Sequence, residues 1–165
     1  MARRKRNFSY RKLANAIEDN MIFTLNQLGN RLNKSIQDGI NKGESIDGGK
    51  HKRLSPKTSQ KKRGSSAIPL KNTGNMSRTK KLPATSGKLA FQLKMNAGRG
   101  KNKSNVQYGA YHQVGFTNSP QSAYPNTKVP ARKWWGIPQT MQPGGKELNK
   151  WIEVFFAKIR SSVNK

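Results

Sequence analysis

The chain has 165 residues, with 33 Lys and Arg against 7 Asp and Glu, a net charge of +26, two His and no Cys. That length fits one domain with attached arms. The missing Cys exclude disulfides and thiolate metal sites, and the apolar share of 32% allows only a modest core. No apolar run approaches the roughly 18 residues that span a bilayer, and no apolar segment follows the basic N-terminus as it would in a secretory signal.

The acids are Glu18, Asp19, Asp38, Glu44, Asp47, Glu147 and Glu153, so the 99 residues from Gly48 to Lys146 hold none, yet they hold 20 of the 33 basic residues. Free copies of such a chain repel one another, and a polyanion or an acidic partner is expected. DNA is the obvious polyanion, because phosphate contacts need only Lys and Arg.

In chain order, residues 1–10 form a basic arm headed by Arg3, Arg4, Lys5 and Arg6. Residues 11–165 are read as a single domain. From Leu13, apolar residues recur at Ile17, Met21, Leu25, Leu28, Leu32, Ile36 and Ile40, in steps of three or four. This predicts one helix of about seven turns with a single apolar stripe. Gly29 interrupts it at a cost of about 1 kcal/mol relative to Ala, and Gly39 and Gly43 mark its end. Residues 41–84 are rich in Gly, Ser, Thr, Asn, Pro and Lys without apolar period, which predicts a long loop or extended arm working at an interface.

Residues 87–95 alternate, with Leu89, Phe91, Leu93 and Met95 on one face, and predict a half-buried strand. Val106, Tyr108, Ala110 and His112 alternate again, so residues 105–114 are read as its hairpin partner, across a basic turn at 96–103. Residues 116–128 read as an irregular polar loop. After Pro143-Gly144-Gly145, the residues Leu148, Trp151, Ile152, Phe155, Phe156 and Ile159 make one wide apolar helical face, with Lys158 and Arg160 placed to complement the helix dipole. The fold class is α+β: a small antiparallel β-sheet packed by a long N-terminal helix and a C-terminal helix, with the extended loop 41–84.

The chemistry-bearing residues point away from catalysis. His51 and His112 stand without Cys and with few acids, so a metal site of ordinary composition is not expected. No acid near His112 in sequence completes a Ser–His–Asp triad, and paired carboxylates for acid–base work are missing from the centre. His112 reads as a satisfied strand-end histidine. Gly98-Arg99-Gly100-Lys101 lacks phosphate-loop spacing and reads as a basic hairpin tip. No catalytic residue, cofactor or metal is expected. The candidate DNA- or partner-contacting residues are Arg3, Arg4, Lys5, Arg6, Lys50, Lys52, Arg53, Lys61, Lys62, Arg63, Arg99, Lys101 and Lys103. The candidate subunit-interface and structural residues are Tyr111, His112, Gln113, Gly115, Pro130, Arg132, Trp134 and Trp135. Pro130 and Pro138 make the second block a rigid corner. Adjacent tryptophans on an extended segment face opposite ways, so one is expected to pack inward and the other on a loop or a neighbouring subunit.

Four stretches in order carry a resemblance to the phage virion morphogenesis and tail-completion families. They are Leu54-Ser55-Pro56-Lys57-Thr58 with Lys61-Lys62; Pro69-Leu70-Lys71-Asn72-Thr73-Gly74-Asn75-Met76; Tyr108-Gly109-Ala110-Tyr111-His112-Gln113-Val114-Gly115; and Val129-Pro130-Ala131-Arg132-Lys133-Trp134-Trp135-Gly136. The last departs from the family pattern, with Lys133-Trp134-Trp135 where Pro-Phe-Leu is usual. The resemblance implies a structural virion protein of a tailed phage. It implies a homo-oligomeric ring, a hexamer or dodecamer, at the head–tail junction as a neck, tail-completion or tail-terminator subunit. The implied partners are portal, head-completion or tail-tube proteins and the packaged double-stranded DNA of the channel. The implied location is the virion, with the host cytoplasm during assembly, no membrane and no enzyme activity. The alternative reading is a sequence-nonspecific nucleic-acid-binding basic protein, ribosomal or nucleoid-like, which explains the charge but not the four ordered motifs.

Overall fold

The computed structural model describes residues 9–61, 68–70, 79–95, 108–122 and 125–163. The basic arm at 1–8, the turn at 96–103, and Lys62, Arg63, Arg99, Lys101 and Lys103 lie outside them, as does the side chain of Lys61. The described elements are α1 (Tyr10–Lys42), α2 (Pro56–Lys61), β1 (Thr79–Leu82), β2 (Gln92–Met95), α3 (Tyr108–Val114), β3 (Phe116–Thr117), β4 (Lys128–Val129) and α4 (Lys146–Val163), with one 3-10 turn at Gln139–Met141. The architecture is α+β, with two small sheets ordered β1-β2 and β3-β4.

The long helix forms as its stripe requires, and both ends are capped. Ser9 is the N-cap, its Oγ accepting the Lys12 N–H at 3.4 Å and its carbonyl the Leu13 N–H at 3.1 Å. Gly43 ends it in the left-handed region at φ 71°, and the Glu44 N–H then donates to the Gly39 carbonyl at 2.8 Å. The chain divides into two compact units, Met1–Gly29 with Pro83–Gln92 and Thr140–Lys165, and Asn30–Leu82 with Leu93–Gln139.

In the first unit, α1 and α4 meet where Lys158 Nζ lies 4.2 Å from the centre of the Phe23 ring and Asn20 Nδ2 donates to Ser162 Oγ at 3.5 Å. Asn26 grips the backbone of Ala84 twice: its Oδ1 accepts the Ala84 N–H at 2.8 Å and its Nδ2 donates to the Ala84 carbonyl at 3.2 Å. The Phe91 ring fills the space where Gly29 has no side chain, so the mid-helix glycine is a packing notch. Ala84 and Met141 are buried. Helix α4 has no buried residue and leaves Ile152 and Phe156 exposed.

In the second unit the core is Ile36, Ile40 and Trp134, packed by Leu32, Ile46, Leu70, Leu93 and Trp135. Strand β1 is fastened along α1: Thr79 Oγ1 donates to Asn33 Oδ1, and Lys81 Nζ donates to Asn30 Oδ1 at 3.3 Å.

Three expectations are corrected. The stretch 105–114 is not a strand: its described part, Tyr108–Val114, is helix α3. Period-two and period-3.6 patterns are hard to separate over so few residues, and Gly115, with φ 77° and its N–H on the Tyr111 carbonyl at 2.9 Å, supplies a helix C-terminal signal. The partner of β2 is therefore β1, from within 41–84, and that segment is not wholly loop, since it also holds α2. Residues 116–128 are not irregular throughout: Phe116 pairs with Val129 and Thr117 with Lys128 in a short antiparallel ribbon.

Candidate functional site

The two blocks Tyr111–Gly115 and Val129–Gly136 are one interlocked object inside the second unit. Helix α3 presents Gln113 to the corner that follows β4. Gln113 Oε1 accepts the N–H groups of Trp134 and Trp135 at 3.0 and 3.1 Å, and Gln113 Nε2 donates to the Trp135 carbonyl at 2.8 Å. One amide side chain thus satisfies three backbone groups that belong to neither helix nor sheet, which leaving unpaired costs free energy. The Arg132 N–H donates to the His112 carbonyl at 2.7 Å. Gly115 completes the fit: a Cβ there would stand 2.8 Å from Ala131 N and 2.9 Å from the Val129 carbonyl oxygen. Only glycine has both the positive φ and the missing side chain this approach needs.

The corner is also tied to the turn after α1. The Ile46 N–H donates to the Lys133 carbonyl at 2.8 Å, and Asp47 Oδ1 accepts the Gln139 N–H at 3.3 Å. Trp134 is 1% exposed and forms the floor of the core. Trp135 meets it edge-on, centroids 5.6 Å apart at 66°. Trp134 packs inward as expected of one of the pair. Trp135 reaches the same cluster because the backbone bends at Trp135–Gly136 rather than staying extended.

Arg132 turns inward, 5% exposed, with its Nε buried and without a hydrogen-bond partner. Burial pushes its guanidinium below its ordinary pKa. His51 lies within its field. Burial first, and the Arg132 cation second, pull the His51 pKa below 6.5, and its buried Nε2 has no partner. The residues around it, Lys50, Lys52 and Arg53, are exposed. The His112 ring packs edge-on against Phe116 at 5.6 Å, and Tyr111 does so at 5.9 Å.

Besides the exposed Lys133, the clasp turns an apolar set outward. Tyr111 is 51% and Val114 74% exposed on α3, and Ile137 beyond the corner is 56% exposed. Pro130 is exposed as well. Among the sequence-predicted residues, the structure therefore joins Gln113, Gly115, His112, Arg132, Trp134 and Trp135 in one internal lock and leaves Tyr111 outside. Sequence reasoning missed the asparagines Asn26, Asn30 and Asn33, spaced four and three along α1, which hold Ala84, Lys81 and Thr79. Their helical spacing was the available signal. Among the described residues no group of three His, Asp or Glu could hold a metal ion, and no helix of the described residues is long and apolar enough to cross a membrane.

The model of the phage virion morphogenesis family matches residues 9–143. The chain belongs to that family. The match takes in both halves of the clasp and all of α1, and it carries a role in the phage virion and its assembly. No curated protein and no solved structure matches the chain.

Proposed function

We propose that this family member is a structural subunit of the head–tail junction of a tailed phage, built into a homo-oligomeric ring of six or twelve copies around the DNA channel. The observation that carries the reading is the clasp. The residues of the two family blocks are spent on holding one another, through Gln113, Gly115 and the buried Trp134, and not on presenting reactive groups. What they hold outward is an apolar set, Tyr111, Val114 and Ile137, of the kind that marks a protein interface. Ring neighbours bury such surface and so supplement a modest core. In this reading the interface covers these residues, portal, head-completion or tail-tube proteins meet the ring's ends, and the basic surface meets DNA or acidic neighbours.

The test is the mass of the nuclease-treated protein in moderate salt by native mass spectrometry, alone and with purified tails. A closed ring, or a monomer that becomes one on the tail, is the expected result. Gold-labelled antibody on intact virions should mark the junction. A protein that stays monomeric with tails present, and labels no virion, overturns the reading.

A further inference from the structure

The basic residues of the second unit are not evenly placed. Of the exposed lysines on its described regular elements, four sit on three adjoining segments, Lys34 on α1, Lys80 and Lys81 on β1, and Lys94 on β2, while Lys42 ends α1 and Lys128 lies on β4. Strand β1 neighbours β2 in the sheet and is pinned to α1 through Asn33 and Asn30. Lys34 lies one helical turn beyond Asn30, on the same side of the helix. The four cations thus share one framework of helix and hairpin fixed by hydrogen bonds, with Lys81 on the α1 side of β1, as Thr79 is, and Lys80 on the other. The second unit has only three acids, Asp38, Glu44 and Asp47, and Asp38 is the one on this stretch of α1, half-buried. The β1 pattern is not the alternation of an ordinary half-buried strand, because both central residues, Lys80 and Lys81, face solvent.

We infer that this α1–β1–β2 framework binds the phosphate backbone of double-stranded DNA without reading its sequence. The inference rests on the proposed position around a DNA channel and commits that channel-facing role to these four residues. Two features select duplex over the other anionic partners. A protein interface needs an apolar centre, usually with aromatic residues, whereas among the described residues none of the exposed large hydrophobics of the second unit lies on α1, β1 or β2. A single-strand platform needs aromatic rings for stacking bases, and among the described residues of this unit the exposed ring, Tyr111, belongs to α3. What remains is an array of point charges on a rigid support, which suits evenly spaced phosphates. The competing explanation is that the lysines only guard a sheet edge against pairing with other chains.

The experiment uses the full chain and a fluorescent mixed-sequence duplex, with anisotropy followed across salt. The variant K80Q/K81Q/K94Q is compared with K12Q/K146Q/K150Q, which removes the same charge from exposed lysines of the first unit. Each phosphate contact contributes about 0.9 to the slope of log affinity against log salt. The face variant should therefore lower the slope by about 2 to 3, while the control leaves it near the wild-type value. The double variant K34Q/K94Q leaves β1 intact and should lower it by about 2, which separates loss of charge from loss of the strand. Equal effects of the two triple variants, no effect of either, or full competition by polyglutamate at matched charge overturns the inference. Native mass spectrometry of the same samples keeps the two readings apart: a ring that ignores duplex defeats this inference alone, and a selective slope change without a ring defeats the ring alone.

Discussion

Replacing Gly115 with Ala isolates the physics of the clasp, and Gly48→Ala in the same unit is its control. Both glycines have positive φ, 77° and 90°. An L-residue there loses about 1–2 kcal/mol from backbone strain alone. At Gly48 nothing lies within 4 Å of the new methyl, so the strain is the whole effect. At Gly115 the methyl meets two backbone atoms, Ala131 N at 2.8 Å and the Val129 oxygen at 2.9 Å. Neither is the end of a flexible side chain, and retreat of that segment stretches the Arg132–His112 hydrogen bond of 2.7 Å. Overpacking of this kind adds about 1–3 kcal/mol, and a weakened hydrogen bond about 1 kcal/mol. The expected loss is thus about 3–6 kcal/mol at Gly115 against about 1–2 kcal/mol at Gly48. Urea unfolding, read by tryptophan fluorescence in a Trp151→Phe background, reports on Trp134 and Trp135 within the affected unit. At about 2–4 °C per kcal/mol, Gly115→Ala should lower the melting temperature by about 6–24 °C. Equal losses in the two variants, within about 0.5 kcal/mol, refute the close approach of α3 to the corner.

The other expectations concern the same contacts. Gln113→Leu leaves two N–H groups and one carbonyl of the corner without their partner and should lose about 2–3 kcal/mol in urea unfolding. Gln113→Glu retains the two accepted bonds but sets an oxygen against the Trp135 carbonyl, so its loss should shrink as pH falls and the carboxyl takes a proton. Gly29→Ala should destabilise the wild type, where Phe91 occupies the notch. In a Phe91→Ala background it should stabilise by up to about 1 kcal/mol through helix propensity, and a double-mutant cycle in thermal melts decides it. His51 has a folded pKa below 6.5, from burial and then Arg132. The unfolded chain therefore takes up the proton first as pH falls, and stability that is complete above about pH 7 is lost progressively below 6.5. His51→Gln should flatten that part of the curve when urea midpoints are compared from pH 8 to 5, and an unchanged difference between wild type and variant across the range defeats the assignment.

The long helix and α4 were legible because their stripes run for several turns, long enough for a period of 3.6 to declare itself. The residues around Tyr111 were legible as a motif but not as a helix. Seven residues give barely two turns, and alternation of Tyr108, Ala110 and His112 imitates a strand. The partner of β2 was hidden for a different reason. Thr79-Lys80-Lys81-Leu82 is polar and does not alternate, because β1 is held by the side chains of Asn30 and Asn33 and by its neighbour strand rather than by burial of one face. The asparagines were passed over since polar residues on a helix ordinarily face water. Nothing in a single sequence says that Gln113 will reach across to the tryptophans some twenty residues on.

The clasp also accounts for the departure of this chain from the family pattern, where Lys133-Trp134-Trp135 stands in place of Pro-Phe-Leu. The position of the Phe is Trp134, the buried floor of the core, so an aromatic ring is kept where packing demands one. The position of the Leu is Trp135, which still packs against the core cluster, edge-on to Trp134, while its backbone is held at both N–H and carbonyl by Gln113. The position of the Pro is Lys133, whose side chain is exposed and whose contribution to the fold is its carbonyl, bonded to the Ile46 N–H. A carbonyl is the one hydrogen-bonding group proline shares with every other residue, so Lys133 leaves the lock intact and adds a charge to the surface. This chain thus keeps ring, amide and glycine inside the corner and places the Lys133 charge on its exposed side.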